Sequence, residues 1–180
     1  MAEVGAAEGI LKSLRAVGAI SALDFHFARL MERLAGSAGP EVAAAAALVS
    51  RAAGEGNVCL DLRAVSGGGD LNHQWGGVAL PEFASWCEKL RRSPVVGKPG
   101  DHRPLVLEDV GRLYLYRYWD YQRRLADVLR GRIDAPAAPM DTMDLRKRLD
   151  RLFSAAGGEP DWQKVSAVAC VRKTFCVVSG

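Results

Sequence analysis

The segment from Pro40 to Gly54 limits the folds open to this chain more than any other stretch. Proline suits the first turn of a helix and glycine often ends one, so we expect a helix from Glu41 to Ala53. Five consecutive alanines, residues 43–47, leave this helix with little side-chain bulk. Such a helix can approach its neighbours closely, so we expect it to pack close against them in a mainly helical body.

Helical spacing of apolar residues predicts further helices on both sides of this segment. One covers residues 8–17. Another begins at a capping box formed by Ser21 and Asp24 and ends at Gly36. Its apolar positions indicate a core helix: Leu23, Phe27, Leu30, Met31 and Leu34. Pro81 opens a helix whose inward positions are Phe83, Trp86, Cys87 and Leu90.

A β-hairpin is the clearest local signature in the second half of the chain. Segments 104–109 and 112–118 are rich in strand-forming residues, and they flank a turn at Val110 and Gly111. We expect Leu113 and Leu115 on one side and Tyr114 and Tyr116 on the other. A helix from Trp119 to about Arg132 follows, with a predicted apolar stripe at Tyr121, Leu125, Val128 and Leu129. Its arginines favour a solvated face over a nucleic-acid contact.

The last third of the chain reads as two more helices and a strand. Residues 93–103 and 134–140 are predicted linkers, Asp141 caps a helix that runs to Phe153, and Asp161 starts another. The apolar run 174–178 has the character of a strand buried on both faces in a parallel sheet. A buried parallel strand with nothing after it indicates an N-terminal fragment, cut where a further domain starts.

Composition excludes several classes of protein. The net charge of +3 is too small to favour a nucleic-acid-binding domain. The cysteines lack C-x-x-C spacing, which argues against a zinc site and for buried free thiols: Cys59, Cys87, Cys170 and Cys176. The longest apolar run, 42–49, is too short to span a bilayer, and no secretory signal is visible, so we expect a cytoplasmic protein.

No stretch has the pattern of a complete active site. Asp24 and His26 lack a neighbouring nucleophile, and neither Ser50 nor Ser66 has a base nearby in sequence. The glycine-rich segment 54–62 follows a helix and precedes a short apolar run, which is the reverse of the order in a dinucleotide-binding fingerprint. It therefore favours a helix C-cap that leads into a short strand.

Three stretches resemble the N-terminal region of the exodeoxyribonuclease V alpha subunits, the RecD helicase family of RecBCD complexes. They are 52–60 (AAGEGNVCL), 112–119 (RLYLYRYW), and 161–165 with 177–180 (DWQKV and VVSG). Asn57 stands where the family more often has histidine. In the family, the last stretch continues into a phosphate-binding loop, and Gly180 matches the first glycine of that loop.

The resemblance implies a fold class and a domain order. It implies a helical N-terminal partner-docking domain (1–100), a β-hairpin with linking helices (101–160), and the first helix and strand of a truncated α/β P-loop motor domain (161–180). It implies that Gln163 reads the adenine of ATP in the intact protein, since a carboxamide can pair with both a donor and an acceptor. The fragment itself is expected to have no catalytic residue, metal or cofactor, whereas the intact protein would use ATP and Mg²⁺.

The resemblance also implies partners. The intact protein would be an ATP-driven 5′-to-3′ DNA helicase that acts in double-strand-break repair with a gamma subunit (RecC) and a nuclease/helicase beta subunit (RecB). This N-terminal region would dock the motor onto the gamma subunit through exposed apolar residues before residue 100, and DNA would be bound by later domains. Two other hypotheses stay open: a partner-independent superfamily 1 helicase that contacts DNA through this region, and a free-standing adaptor.

Overall fold

The computed structural model describes residues 2–36, 39–67, 75, 77–137, 139–153 and 160–179. Mainly helical structure is confirmed within these ranges, together with one small sheet. The helices are α1 (Ala2–Ala16), α2 (Ala22–Ala35), α3 (Pro40–Gly54), α4 (Leu62–Val65), α5 (Phe83–Arg92), α6 (Tyr116–Asp134), α7 (Thr142–Leu152) and α8 (Trp162–Arg172). The strands are β1 (Leu60–Asp61), β2 (Val96–Gly97), β3 (Leu105–Leu107) and β4 (Arg112–Leu115).

The chain divides into two compact units, residues 1–122 and 123–180. In the first unit α3 is the central helix, in contact with α1, α2, α5, β1 and β4. Nine of its residues are buried, and the five alanines are fully so. The close packing expected of the alanine run is confirmed, because methyl side chains let neighbouring elements approach α3 from every side.

The predicted hairpin is confirmed as the centre of a four-stranded sheet with the order β1-β4-β3-β2. β3 and β4 are antiparallel, with Val106 opposite Tyr114. Leu113 and Tyr114 are both buried, so both faces of β4 are covered. Gly111 in the turn has a φ of 91°, and a Cβ there would meet the ring of Phe83 at 2.5 Å. The turn therefore requires glycine both for its backbone conformation and for space.

Two boundaries differ from the sequence prediction. The helix after the hairpin begins at Tyr116 rather than Trp119, so the strand tendency of Tyr116 and Tyr118 is overridden by tertiary context. The predicted linker 93–103 contains β2, which pairs in parallel with β3. Arg103 holds this turn closed, since its guanidinium donates to the carbonyl oxygens of Ser93 (3.2 Å) and Val96 (3.1 Å).

The hairpin strands pair with residues on both sides of position 100, because β1 pairs with β4 and β2 with β3. The three-part division of the chain at 100 and 160 stays a prediction. The predicted loop 63–79 begins with α4, while residues 68–74 and 76 lie outside the described residues.

The second unit contains capped helices with little burial. The predicted caps are confirmed, since the carboxylates of Asp141 and Asp161 accept backbone N–H groups at the starts of α7 and α8. The predicted apolar stripe of α6 is wrong as a buried face, because none of its residues is buried and Leu125 is largely exposed. In the described part of this unit, only Leu149 is buried.

The strand predicted over residues 174–178 is not formed. Residues 173–179 have no strand structure, and Val177 and Val178 are exposed. A strand is held by hydrogen bonds to a neighbouring strand, and no strand among the described residues pairs with this segment. The apolar composition alone therefore does not produce the strand here.

Candidate partner-docking surface

The two residues predicted to bind nucleotide are not brought together by the described structure. Gln163 is the second residue of α8, and its side chain is exposed. Its backbone N–H donates to Oδ1 of Asp161 at 3.0 Å, so the aspartate caps the helix and the glutamine carboxamide takes no part in capping. Gly180 lies outside the described residues. The adenine role of Gln163 stays a prediction.

The cysteines have three different environments. Cys87 is buried, Cys59 and Cys176 are half-buried, and Cys170 is exposed, so the expectation of buried thiols is correct only for Cys87. Burial raises the pKa of the Cys87 thiol, which keeps it protonated and unreactive at neutral pH. Among the described residues, no group of three or more histidine, cysteine or acidic side chains could hold a metal ion.

A polar cluster that the sequence did not reveal joins the start of α2 to α3. Oδ1 of Asp24 accepts a hydrogen bond from the hydroxyl of Ser50 at 2.6 Å, although 26 residues separate them. Its Oδ2 accepts from the backbone N–H of Ser21 (2.8 Å) and from the Ser21 hydroxyl (2.7 Å), which confirms the predicted capping box. No histidine takes part in these bonds. The cluster is therefore a buried helix cap, and it lacks the base that a serine nucleophile needs.

Helix α2 has one buried face of mixed character and one apolar face that is largely exposed. Its inward face is formed by Asp24, Ala28, Met31 and Glu32. Four of the other apolar residues lie within about 60° of one another on the helix, at 100° per residue. We call them the outer stripe: Leu23, Phe27, Leu30 and Leu34. The exposed fractions of Leu23, Leu30 and Leu34 are 75%, 41% and 57%, and Phe27 is half-buried.

The sequence prediction for α2 is therefore correct in its spacing and wrong in its orientation. Of the five residues assigned to the core, only Met31 is buried. The core side of α2 is instead made of small or polar residues. Ala28 allows close approach to α3, and Asp24 is satisfied by its hydrogen bonds. This difference leaves a row of leucines on the protein surface.

Arginines lie along one edge of the outer stripe. Arg29 and Arg33, which we call the basic border, project on the side of α2 opposite Met31. Nη1 of Arg29 pairs with Oε2 of the buried Glu32 at 3.0 Å. Arg33 is exposed, and none of the ion pairs among the described residues involves it. Both carboxylates of α2, Asp24 and Glu32, are buried, so the helix presents no carboxylate to solvent.

An open cleft of about 560 Å³ lies at the first residue of the outer stripe. Leu23 lines it together with Leu115 and Tyr118, which come from the end of β4 and the start of α6. Some polar groups in its wall are already paired. Arg51 donates to the carbonyl oxygen of Ala19 at 2.8 Å and forms an ion pair with Glu55 at 2.7 Å.

The described helices include none with the length and apolar character needed to cross a bilayer. The exposed apolar residues of α2 lie on one helix of the first unit. They form a stripe of about three turns that ends in a cleft, and exposed apolar surfaces of this kind are typical of contacts with another protein.

Comparison with known proteins identifies relatives of the whole chain. The family model for the N-terminal domain of the RecBCD enzyme subunit RecD matches residues 16–114. The RecBCD enzyme subunit RecD of Mycobacterium tuberculosis strain H37Rv is 33% identical over 178 residues, which cover 97% of this chain and 28% of that protein. The corresponding subunit of Mycolicibacterium smegmatis is 30% identical over 158 residues, or 87% of this chain and 26% of the relative.

Proposed function

The chain belongs to the RecD N-terminal domain family, and on this premise we propose that it docks a helicase motor onto the partner subunits of a RecBCD-type complex. The chain spans about a quarter of the length of the relatives that it matches. The activity of a whole protein of that length, its substrates and its partners are accordingly part of the proposal.

The observation that supports docking is the exposure of the outer stripe on a helix whose other face is buried. The first unit has its own core, which includes Trp86, Leu90 and most of α3. Its fold therefore does not depend on covering Leu23, Leu30 and Leu34. Removing such apolar side chains from water is the main favourable term in most protein–protein association. We assign the contact to the gamma subunit (RecC), with the beta subunit (RecB) bound in the same complex.

The proposed activity of the intact protein is ATP-dependent 5′-to-3′ DNA unwinding during double-strand-break repair. In that proposal α8 is the first helix of the motor domain, Gln163 contacts adenine, and Gly180 begins the loop that binds the phosphates and Mg²⁺. The capped start of α8 and the exposed side chain of Gln163 are compatible with this role. Nuclease chemistry belongs to the beta subunit, and the fragment has no ATPase activity of its own.

A binding experiment tests the docking proposal. The 180-residue chain carrying an affinity tag is co-expressed with the cognate gamma subunit, with and without the beta subunit. We expect the gamma subunit to co-purify with the chain in equimolar amount, and the beta subunit to appear only when the gamma subunit is present. Absence of the gamma subunit from the purified material, with both proteins soluble, would contradict docking.

Calorimetry tests the nucleotide proposal. We expect no heat of ATP binding to the 180-residue chain and micromolar binding to the full-length protein. The substitution Gln163→Ala in the full-length protein should weaken ATP binding and leave GTP binding unchanged, because only the adenine edge is read. The neighbouring Lys164→Ala serves as control. Micromolar ATP binding by the fragment, or no effect of Gln163→Ala, would contradict the assignment.

A second candidate function is direct contact with single-stranded DNA, and the charge distribution favours it for one unit. Residues 123–180 contain 11 basic and 7 acidic side chains, for a net charge of +4. Residues 1–122 contain 13 basic and 14 acidic side chains, for a net charge of −1. Contacts to phosphates release counterions, so binding through this unit would weaken steeply with salt. Salt-dependent binding of an oligonucleotide by the chain alone, without partner subunits, would favour this second function.

A further inference from the structure

We infer that the outer stripe of α2 is the docking site for one amphipathic helix of the partner subunit, with carboxylates along the edge that faces the basic border. This inference rests on the proposed docking function and specifies which surface is used and what it recognises. The outer stripe is Leu23, Phe27, Leu30 and Leu34, and the basic border is Arg29 and Arg33.

The shape of the surface favours a helix as the partner segment that packs on it. The stripe spans the twelve residues from Leu23 to Leu34, and its ends are about 16 Å apart at 1.5 Å per residue, or three helical turns. The backbone hydrogen-bonding groups of α2 are used within the helix, so an extended strand would find no ladder partners there. Rows of side chains on one helix pack into the grooves of another, and a partner helix of about three turns matches the length of the stripe.

The exposed arginine beside the stripe favours a partner helix with carboxylates along the facing edge. Arg33 is exposed and has no ion-pair partner in the described part of the chain, while the two acidic residues of α2 are buried. A partner carboxylate beside Arg33 would gain an ion pair, whereas a lysine or arginine there would be repelled. A second copy of this chain packed antiparallel on the stripe would bring the two basic borders to the same side, which disfavours self-association.

The cleft beside Leu23 gives the partner helix a defined end position. Its walls include the apolar side chains of Leu23 and Leu115 and the ring of Tyr118. Asp24 already accepts three hydrogen bonds, and Arg51 is already bonded to Glu55 and the Ala19 carbonyl. Asp24 and Arg51 thus need no partner from outside, and the Arg117 guanidinium, which also lines the cleft, lies over the Tyr118 ring at 5.5 Å. We therefore place a large apolar side chain of the partner helix in the cleft, where it fixes the register along the stripe.

The test measures the affinity of the 180-residue chain for the cognate gamma subunit by biolayer interferometry. The double substitution Leu30→Ser and Leu34→Ser should weaken binding at least about tenfold, as expected for central apolar residues of an interface. A matched control, Val58→Ser with Val110→Ser, removes two exposed apolar side chains of the same unit that lie outside α2 and should leave the affinity unchanged. Identical circular dichroism spectra and melting temperatures of all variants establish that they are folded.

Charge substitutions test the acidic edge separately. Arg33→Glu should weaken binding about tenfold at low salt and less at high salt, and Arg33→Lys should keep most of the affinity. If the wild-type chain binds the gamma subunit and the Leu30/Leu34 variant binds it with the same affinity, the inference is overturned while docking still stands. No binding by the wild type would overturn docking and the inference with it. A wild-type dimer in light scattering that the Leu30/Leu34 variant abolishes would overturn the choice of a partner helix.

Discussion

The two units of this chain place similar side chains in opposite environments. Trp86 on α5 is fully buried, and its Nε1 donates to the carbonyl oxygen of Glu41 on α3 at 2.9 Å. Trp162 at the start of α8 is 72% exposed. In the first unit, helices are held by a shared core around α3. In the second, they are held mainly by caps and ion pairs, such as that between Arg148 and Asp144 at 2.8 Å.

This difference indicates which unit contributes most of the free energy of unfolding. A shared core makes the first unit fold cooperatively, because losing one contact weakens the others around α3. Helices of eleven residues, such as α7 and α8, are marginal in water unless an apolar face is covered. We therefore expect the first unit to account for nearly all of the cooperative unfolding transition.

Replacing the two tryptophans should give the largest contrast. Trp86→Ala leaves a large cavity in the core, and we expect it to lower the free energy of unfolding by about 3–5 kcal/mol. Trp162→Ala removes an exposed ring and should change it by less than about 0.5 kcal/mol. Urea denaturation followed by circular dichroism measures both. An equal loss of free energy of unfolding in the two variants would show that the side chain of Trp162 is buried in solution.

Two glycine substitutions should give effects of opposite sign. Gly111→Ala forces a positive φ on alanine and pushes its Cβ into the ring of Phe83. This change should lower the free energy of unfolding by about 1–3 kcal/mol. Gly131→Ala lies within α6, where an added Cβ meets no atom within 4 Å, and should stabilise that helix by up to about 1 kcal/mol. Thermal denaturation measures the stability of the two variants, and circular dichroism measures their helix content. A destabilising Gly131→Ala would mean that this face of α6 is covered.

Removing a helix cap should have different consequences in the two units. Ser21→Ala breaks the capping box of α2, which packs on α3, and should lower the free energy of unfolding of the first unit by about 1 kcal/mol. Asp161→Ala should instead speed amide hydrogen exchange only within α8, because no residue of that helix is buried. If exchange also increased in α3 of the Asp161 variant, the two units would not be independent.

Local signals in the sequence predicted more of the structure than long-range ones did. The capping boxes and caps at Ser21, Asp141 and Asp161 and the turn at Gly111 involve residues close in sequence, and the structure confirms them. The close packing of α3 against its neighbours also followed from its alanines. The hydrogen bond from Ser50 to Asp24 could not be predicted, because it depends on how two helices pack.

Two errors have one physical cause. Apolar spacing on α2 and α6 identifies a face, and it does not identify what covers that face. The apolar stripes predicted on α2 and α6 include Leu30 and Leu125, and both side chains are exposed. The strand predicted at 174–178 depends likewise on a neighbouring strand that the sequence pattern cannot supply. Of the candidate surface, the sequence therefore predicted the leucines and not their exposure.

The smallest predicted effect concerns the ion pair between α7 and α8 in the second unit. Nζ of Lys164 donates to Oδ1 of Asp150 at 2.6 Å, and this hydrogen bond is the main reason that the pKa of Asp150 lies below its ordinary value of 3.8. Because the folded-state pKa is lowered, the contribution of the pair to helix docking is present above about pH 4. It is lost as the pH falls through the folded-state pKa.

An NMR titration of the Asp150 carboxyl group measures this effect. Lys164→Met should return its pKa towards 3.8, while Arg146→Met should move it less, because that guanidinium acts only through a longer contact at 3.9 Å. Both shifts should shrink at high salt, since the pair is half-exposed. If Lys164→Met left the pKa of Asp150 unchanged, α7 and α8 would not be joined by this pair. The second unit would then be held by helix caps and by the contacts of Leu149.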